Sequence, residues 1–225
     1  MAKYAWIVIA LLSAGGVAAF SQSSSDLVSR YLTEDGGYGV RPMDGNQKAE
    51  AIAGLRRAQS SARGKQAQKI AFLLASLGWQ YERNRDLLIA TLAECAKPQP
   101  IHDCDEETAG LLIALGGRRD AAILDAMLTA VSRADGALAA SLGEFFQTLL
   151  RDSPDRFLRG LKIVESETIA AACGLAATGD GGSVDKDARV KIRASLQRAH
   201  NPEASACLRA FDAASGGEES SAGGD

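Results

Sequence analysis

The chain has 225 residues, a formal net charge of −3 and a pI near 5.5. A mildly acidic chain has no global attraction for phosphate backbones, which argues against nucleic acid as a partner. Apolar residues reach 46% and aromatics only 5%; with Ala and Leu prominent among them, the composition favours helices around a sizeable core over strands.

The amino terminus reads as a targeting segment. Lys3 precedes an apolar run from Ala5 to Leu12, small residues continue to Phe20, and Val17-Ala18-Ala19 offers a signal-peptidase exit. Residues 1–19 are therefore expected to be a cleavable signal peptide, and the mature protein to be periplasmic or secreted. An uncleaved anchor is the alternative, but the run is shorter than the roughly 20 residues a spanning helix needs. Export permits disulfides, and four cysteines suffice for two bridges.

Residues 20–45 read as a short helix, Asp26–Leu32 capped by Ser25, followed by a loop over Thr33–Gly45 rich in breakers. A single helical domain is expected over 46–213. Asn46 caps its first helix, with Ala49, Ile52, Ala53 and Leu55 inward, and Gly64 stops it. Beyond 213 the Gly, Ser and Glu of the tail predict disorder.

The middle of the chain repeats. Ala71–Gly78 reads A-F-L-L-A-S-L-G, and Ala109–Gly116 reads A-G-L-L-I-A-L-G, a shift of 38. Each ends a first helix, Lys65–Leu77 and Glu106–Leu115. A second helix follows each, Asp86–Ala96 and Asp120–Arg133. Leu87, Leu88, Thr91, Leu92 and Cys95 match Ile123, Leu124, Met127, Leu128 and Val131 at a shift of 36. The two-residue difference is expected in the connecting turn. Amphipathic segments continue at Gly136–Arg151, after Ser153-Pro154, from Ser166, from Asp185 and after Asn201-Pro202. The total is nine or ten helices with no convincing strand. A period near 37 with short turns implies an all-α protein built as a short right-handed stack of antiparallel hairpins, with an irregular helical bundle as the alternative. On A-x-L-L-x-x-L-G and the stripe that follows it, Lys65–Ile163 resembles HEAT and armadillo repeats; that likeness implies an α-solenoid and no particular activity.

Candidate chemistry is sparse. Cys95, His102 and Cys104 offer thiolate and imidazole ligands, but without a fourth ligand or C-x-x-C spacing a Cys95–Cys104 disulfide is the stronger expectation. Cys173 and Cys207, each within a helix, are expected to pair and hold the last helix on the array. Asp180, Asp185 and Asp187 cluster without EF-hand spacing. His200 lies at a helix end, where the dipole favours positive charge. No G-x-S-x-G, Walker or H-E-x-x-H motif occurs, so no catalytic residue, cofactor or metal is expected. One feature resists helix propensity: Arg83 and Arg85 in the first connecting turn and Arg118 and Arg119 in the second oppose the dipole of the helix that follows. Stacked repeats bring them to one edge as a basic ridge for an acidic protein, with Trp79 and Tyr81 packed beneath it or anchoring it. The expected function is a non-catalytic protein–protein interaction module of the envelope. The competing expectations are a ligand-binding or enzymatic groove near Trp79 and Tyr81, and a membrane-tethered accessory factor if residues 1–19 are retained.

Overall fold

The computed structural model describes residues 23–35, 37–95, 106–117, 119–179 and 185–216. The expected signal peptide therefore lies outside the described residues, as do His102, Cys104, Arg118, Asp180 and the tail beyond 216. The described chain is all-α apart from one short hairpin. It runs α1 (Ser24–Tyr31), β1 (Leu32–Thr33), β2 (Gly39–Val40), α2 (Gly45–Gln59), α3 (Gly64–Ser76), α4 (Tyr81–Cys95), α5 (Glu106–Gly116) and α6 (Ala121–Ala130). A 3₁₀ turn at Val131–Arg133 leads to α7 (Gly136–Asp152), α8 (Pro154–Leu161), α9 (Ser166–Thr178), α10 (Lys186–Ala199) and α11 (Pro202–Gly216). None of the described helices is long and apolar enough to cross a membrane.

The helices contact one another in two series. Among the odd-numbered helices, α1 meets α3, α3 meets α5, α5 meets α7, α7 meets α9 and α9 meets α11. From α4 onward the even-numbered helices do the same: α4 meets α6, α6 meets α8 and α8 meets α10. Hairpin partners α3 and α4, α5 and α6, and α7 and α8 join the two series. Leu73, Leu74, Leu111, Leu112, Leu88, Leu92, Leu124 and Leu128 are each at most 2% exposed in one continuous core, so the repeated leucines lie between the layers. Leu27, Val28 and Tyr31 of α1 belong to the same core.

Local chemistry accounts for several departures from the expected boundaries. Ser23, not Ser25, caps α1, its hydroxyl accepting from the Asp26 amide at 3.1 Å. Asp44, not Asn46, caps α2, in a reciprocal capping box with Gln47. Ala51, Gly54, Leu55 and Ala58 form the buried face of α2, while Ala49 is exposed. Gly64 opens α3 and does not close α2. The loop expected after Tyr31 contains a two-residue antiparallel pairing, Leu32 with Val40 and Thr33 with Gly39. Ser215 belongs to α11, buried, with its hydroxyl donating to the Phe211 carbonyl at 2.8 Å.

The largest departure is α4, which starts at Tyr81, five residues before the expected Asp86. The connections 77–80 and 117–120 are equal in length, so the length difference between units sits in helix ends and not in the turns. Asn84 explains the early start. It is 1% exposed; its Nδ2 donates to the carbonyls of Trp79 (2.8 Å) and Gln80 (3.1 Å), and its Oδ1 accepts from Gln59 Nε2 (2.9 Å). One amide side chain thus bonds the Trp79 carbonyl and adds to the bond that the Asn84 backbone amide already gives the Gln80 carbonyl. Gly78, at φ +78°, closes α3 by sending its amide to Ala75, while the next amide, of Trp79, reaches Leu74. Leu87, expected inside, is 39% exposed, and the buried line of α4 runs through Asn84, Leu88 and Leu92 at successive turns.

At the carboxyl end α9 lies between α7 and α11. Gly143 of α7 touches the end of α9 so closely that a Cβ there would stand 2.4 Å from the Gly179 carbonyl oxygen. Cys173 of α9 and Cys207 of α11, both fully buried, form the expected disulfide.

Candidate interaction surfaces

The structure puts the residues of the expected ridge to different uses. Tyr81 opens α4 and its hydroxyl donates to Asp120 Oδ2 at 2.8 Å. Arg85, one turn on, donates to the same oxygen at 3.0 Å and pairs with Asp86 at 2.7 Å. Asp120 Oδ1 caps α6 by accepting from the Ala122 amide at 2.9 Å. One carboxylate therefore links α4 to the start of α6. Burial pushes the Asp120 carboxyl up, but hydrogen bonds from Arg85 and Tyr81 outweigh it and hold the group below the usual carboxylate range. Burial, then the bond to Asp120, pushes the Tyr81 phenol up to about 12. Trp79 is half-buried against the core with the Arg56 guanidinium 4.3 Å above its ring. Arg83 and Arg119 are exposed, and among the described residues Arg83 reaches Gln80 alone, at 3.3 Å. Arg83 and Arg85 lie within α4 and not in the connecting turn. Asp125, one turn beyond the Asp120 cap, is half-buried, and burial followed by the Asp120 charge raises its carboxyl.

A second site lies on the odd-numbered helices, where the hairpin loop crosses α3 and α5. Tyr38 leaves the loop and sets its ring edge-on to Phe72, with centroids 6.5 Å apart. It lies against Gly110, where a Cβ would approach the ring to 2.9 Å. Burial, then the Glu107 carboxylate, raises the Tyr38 phenol above its ordinary value. Glu107 binds Lys69 at 2.8 Å and Lys65 at 3.4 Å, and Lys69 also binds Glu34 at 3.1 Å. Burial opposes the Lys69 ammonium, yet hydrogen bonds to Glu107 and Glu34 outweigh it and hold the group above the usual lysine range. Thr108 donates to Gln68 at 3.0 Å beside this cluster.

Tyr38 divides two open cavities. One, of about 340 Å³, is lined by Glu34, Gly37, Tyr38, Lys69 and Glu107. The other, of about 320 Å³, runs between α5 and α7, where Ile113, Ala114 and Phe145 give apolar surface and Ser141, Glu144 and Thr148 give polar groups. Glu144 is exposed and has no cationic partner among the described residues.

The remaining candidates fall to structural uses or outside the described residues. Asp185 caps α10 through the Ala188 amide at 3.2 Å, and His200 ends that helix in the left-handed conformation. The described residues contain no group of three or more His, Cys, Asp or Glu side chains placed to hold a metal. The expected Cys95–Cys104 bridge and the His102 alternative lie outside the described residues. Sequence reasoning missed Asn84, Tyr38 and Glu144. Tyr38 had a faint signal, an aromatic in a glycine-rich loop beside a helix carrying Gly110; a lone Asn or Glu carries none. Comparison of the chain with protein families, with curated proteins and with solved structures found no match.

Proposed function

We propose that the protein is an exported, non-catalytic helical-repeat module, a short α-solenoid of the HEAT or armadillo kind, that binds an extended segment of a protein partner. The observation that carries this reading is the groove beside Tyr38, which crosses successive odd-numbered helices and joins apolar surface to an exposed carboxylate. Layered helix hairpins offer long faces of this kind for extended segments. The two contact series support the solenoid reading, and the buried disulfide is in keeping with an oxidising compartment.

The chemistry of the groove defines its occupant. Ile113, Ala114 and Phe145 suit an aliphatic side chain, and Glu144 suits a neighbouring Lys or Arg. The arginine edge carries less of the reading, since Arg85 is held by Asp86 and Asp120.

Fluorescence anisotropy with labelled peptides tests this. A peptide alternating Leu and Lys should bind, and one alternating Leu and Glu should not. Glu144→Lys should abolish binding and Ala114→Trp should block it, while Arg83→Glu with Arg119→Glu leaves it unchanged. Binding that survives both groove substitutions would refute the assignment. A crosslinker at Ala114 then identifies the segment held in the envelope.

A further inference from the structure

Among the described residues, the large apolar side chains that reach solvent, Leu87, Ile163 and Val190, all lie on α4, α8 and α10 or directly after them. Ile163 is 71% exposed and Val190 60%. Ile163 follows the end of α8, and Val190 sits on the outer face of α10, opposite the buried Ile192 and Leu196. These positions are set in cations. Residues 154–163 and 185–199 hold eight Arg and Lys against three Asp, on a chain whose net charge is −3. The stretch where α8 meets α10 thus carries a local excess of positive charge on a chain that is acidic as a whole.

Arg159, Lys162, Lys186 and Lys191 are exposed and have no acidic partner among the described residues. Lys186 and Val190 are one turn apart and share a face of α10. Lys162 and Ile163 are adjacent. Ile163 and Val190 therefore each have a cation beside them.

We propose that the α8–α10 face docks on an anionic lipid surface. Charge complementarity selects a negative partner, since unpaired cations near an anionic bilayer each add to the attraction. The protruding aliphatics select lipid over an acidic polypeptide. A polypeptide gains from pockets and from Trp, Tyr and Arg anchors, whereas a bilayer takes up isolated aliphatic side chains at its interface while lysines stay in the headgroup layer. This face is separate from the groove at Tyr38, so the protein can rest on a membrane with α8 and α10 and hold a partner with α5 and α7.

The test is co-sedimentation of the full chain with vesicles of phosphatidylcholine alone or of equal parts phosphatidylcholine and phosphatidylglycerol. Residues 1–19 carry Lys3, so every chain tested holds Lys3→Ser, and the neutral vesicles then account for what the apolar run of that segment binds. Binding to the anionic vesicles should exceed binding to the neutral ones by at least about tenfold at low salt, and high salt should remove the excess. Reversing Arg159, Lys162, Lys186 and Lys191 to Glu should bring the anionic value down to the neutral one. Ile163→Ser with Val190→Ser should reduce the excess about tenfold while leaving the charge untouched. Circular dichroism should find both variants folded, since none of these side chains is buried. Equal binding to the two vesicle types, or an excess that survives charge reversal, would overturn the proposal. An excess lost on charge reversal but indifferent to the two serines would also overturn it, since the aliphatics would then take no part.

Discussion

Asp120 gives the sharpest test of how the two repeat units are joined. Its Oδ1 caps α6 and its Oδ2 takes both the Tyr81 hydroxyl and the Arg85 guanidinium. The Asp120 and Arg85 side chains are 13% and 17% exposed, so the pair is only partly screened by water. Asp120→Ala removes the cap, at about 1 kcal/mol. It also removes a charge-assisted bond and leaves Arg85 with Asp86 alone, at about 2 kcal/mol. The total of about 3 kcal/mol should appear as a shift in the urea midpoint without a change in slope, and as a melting point lower by roughly 10 °C. Asp120→Asn keeps the cap and loses the charge, so it should cost about 2 kcal/mol. The folded Asp120 carboxyl titrates below its unfolded value. The stability it contributes is therefore fully present above the unfolded value near ~3.9 and is lost as pH falls through the lower folded value. The gap between wild type and Asp120→Asn should be constant near neutrality and close in strong acid. A double-mutant cycle of Arg85→Ala with Asp120→Ala should return a coupling of at least about 1 kcal/mol. A coupling near zero, or a gap indifferent to acid, would refute the clamp.

Tyr81 should titrate near pH 12 in the folded protein when followed by phenolate absorbance, and Tyr81→Phe should remove that transition. A raised folded value means that its stabilisation is complete below the unfolded tyrosine value of about 10 and is lost as pH rises toward the folded one; stability of wild type should fall over that interval more than that of Tyr81→Phe. Cys173→Ala with Cys207→Ala opens a link of sequence separation 34 and should lower stability by about 4 kcal/mol in the loop-entropy treatment, with hydrogen exchange accelerated first in α11. Gly143→Ala drives a methyl into the Gly179 and Leu175 carbonyls and should cost at least about 2 kcal/mol. Gly174→Ala, in a helix with nothing within 4 Å of the new methyl, should stabilise by about 0.5–1 kcal/mol; equal effects at the two glycines would contradict the close approach of α7 to α9.

What could be read from the sequence was what periodicity encodes. Leu88, Leu92, Leu124 and Leu128 recur at fixed spacing because each must reach the same core, and all four are buried. The Cys173–Cys207 bridge followed from an even cysteine count and the need to secure a terminal helix. The start of α4 was hidden because it depends on Asn84, a single amide whose partners Trp79, Gln80 and Gln59 are assembled only in the folded chain. The sense of Gly64 was lost for a related reason: a glycine marks an irregular backbone, and the same residue serves to end one helix or to open the next. Tyr38 and Gly110 make one contact across more than seventy positions, a distance over which sequence spacing carries no signal.

Several polar and cysteine side chains hold the fold. Tyr81, Arg85 and Asp120 join α4 to α6, Lys69 and Glu107 join α3 to α5, and Cys173 and Cys207 join α9 to α11. Each fastens a helix to its neighbour in the same series, where no hairpin turn joins the two. The consequence for function is subtractive. A side chain already bound in an inter-helix link meets a partner only after breaking that link, at a cost comparable to the link itself. The groups without such duties are Glu144 over an apolar floor on one series, and Arg159, Lys162, Lys186 and Lys191 near two exposed aliphatics on the other, and the two proposals rest on them. Exposed positions such as Glu144 and Lys162 form no motif and fill no core, which is why the sequence gives no sign of them while the buried leucines stand out.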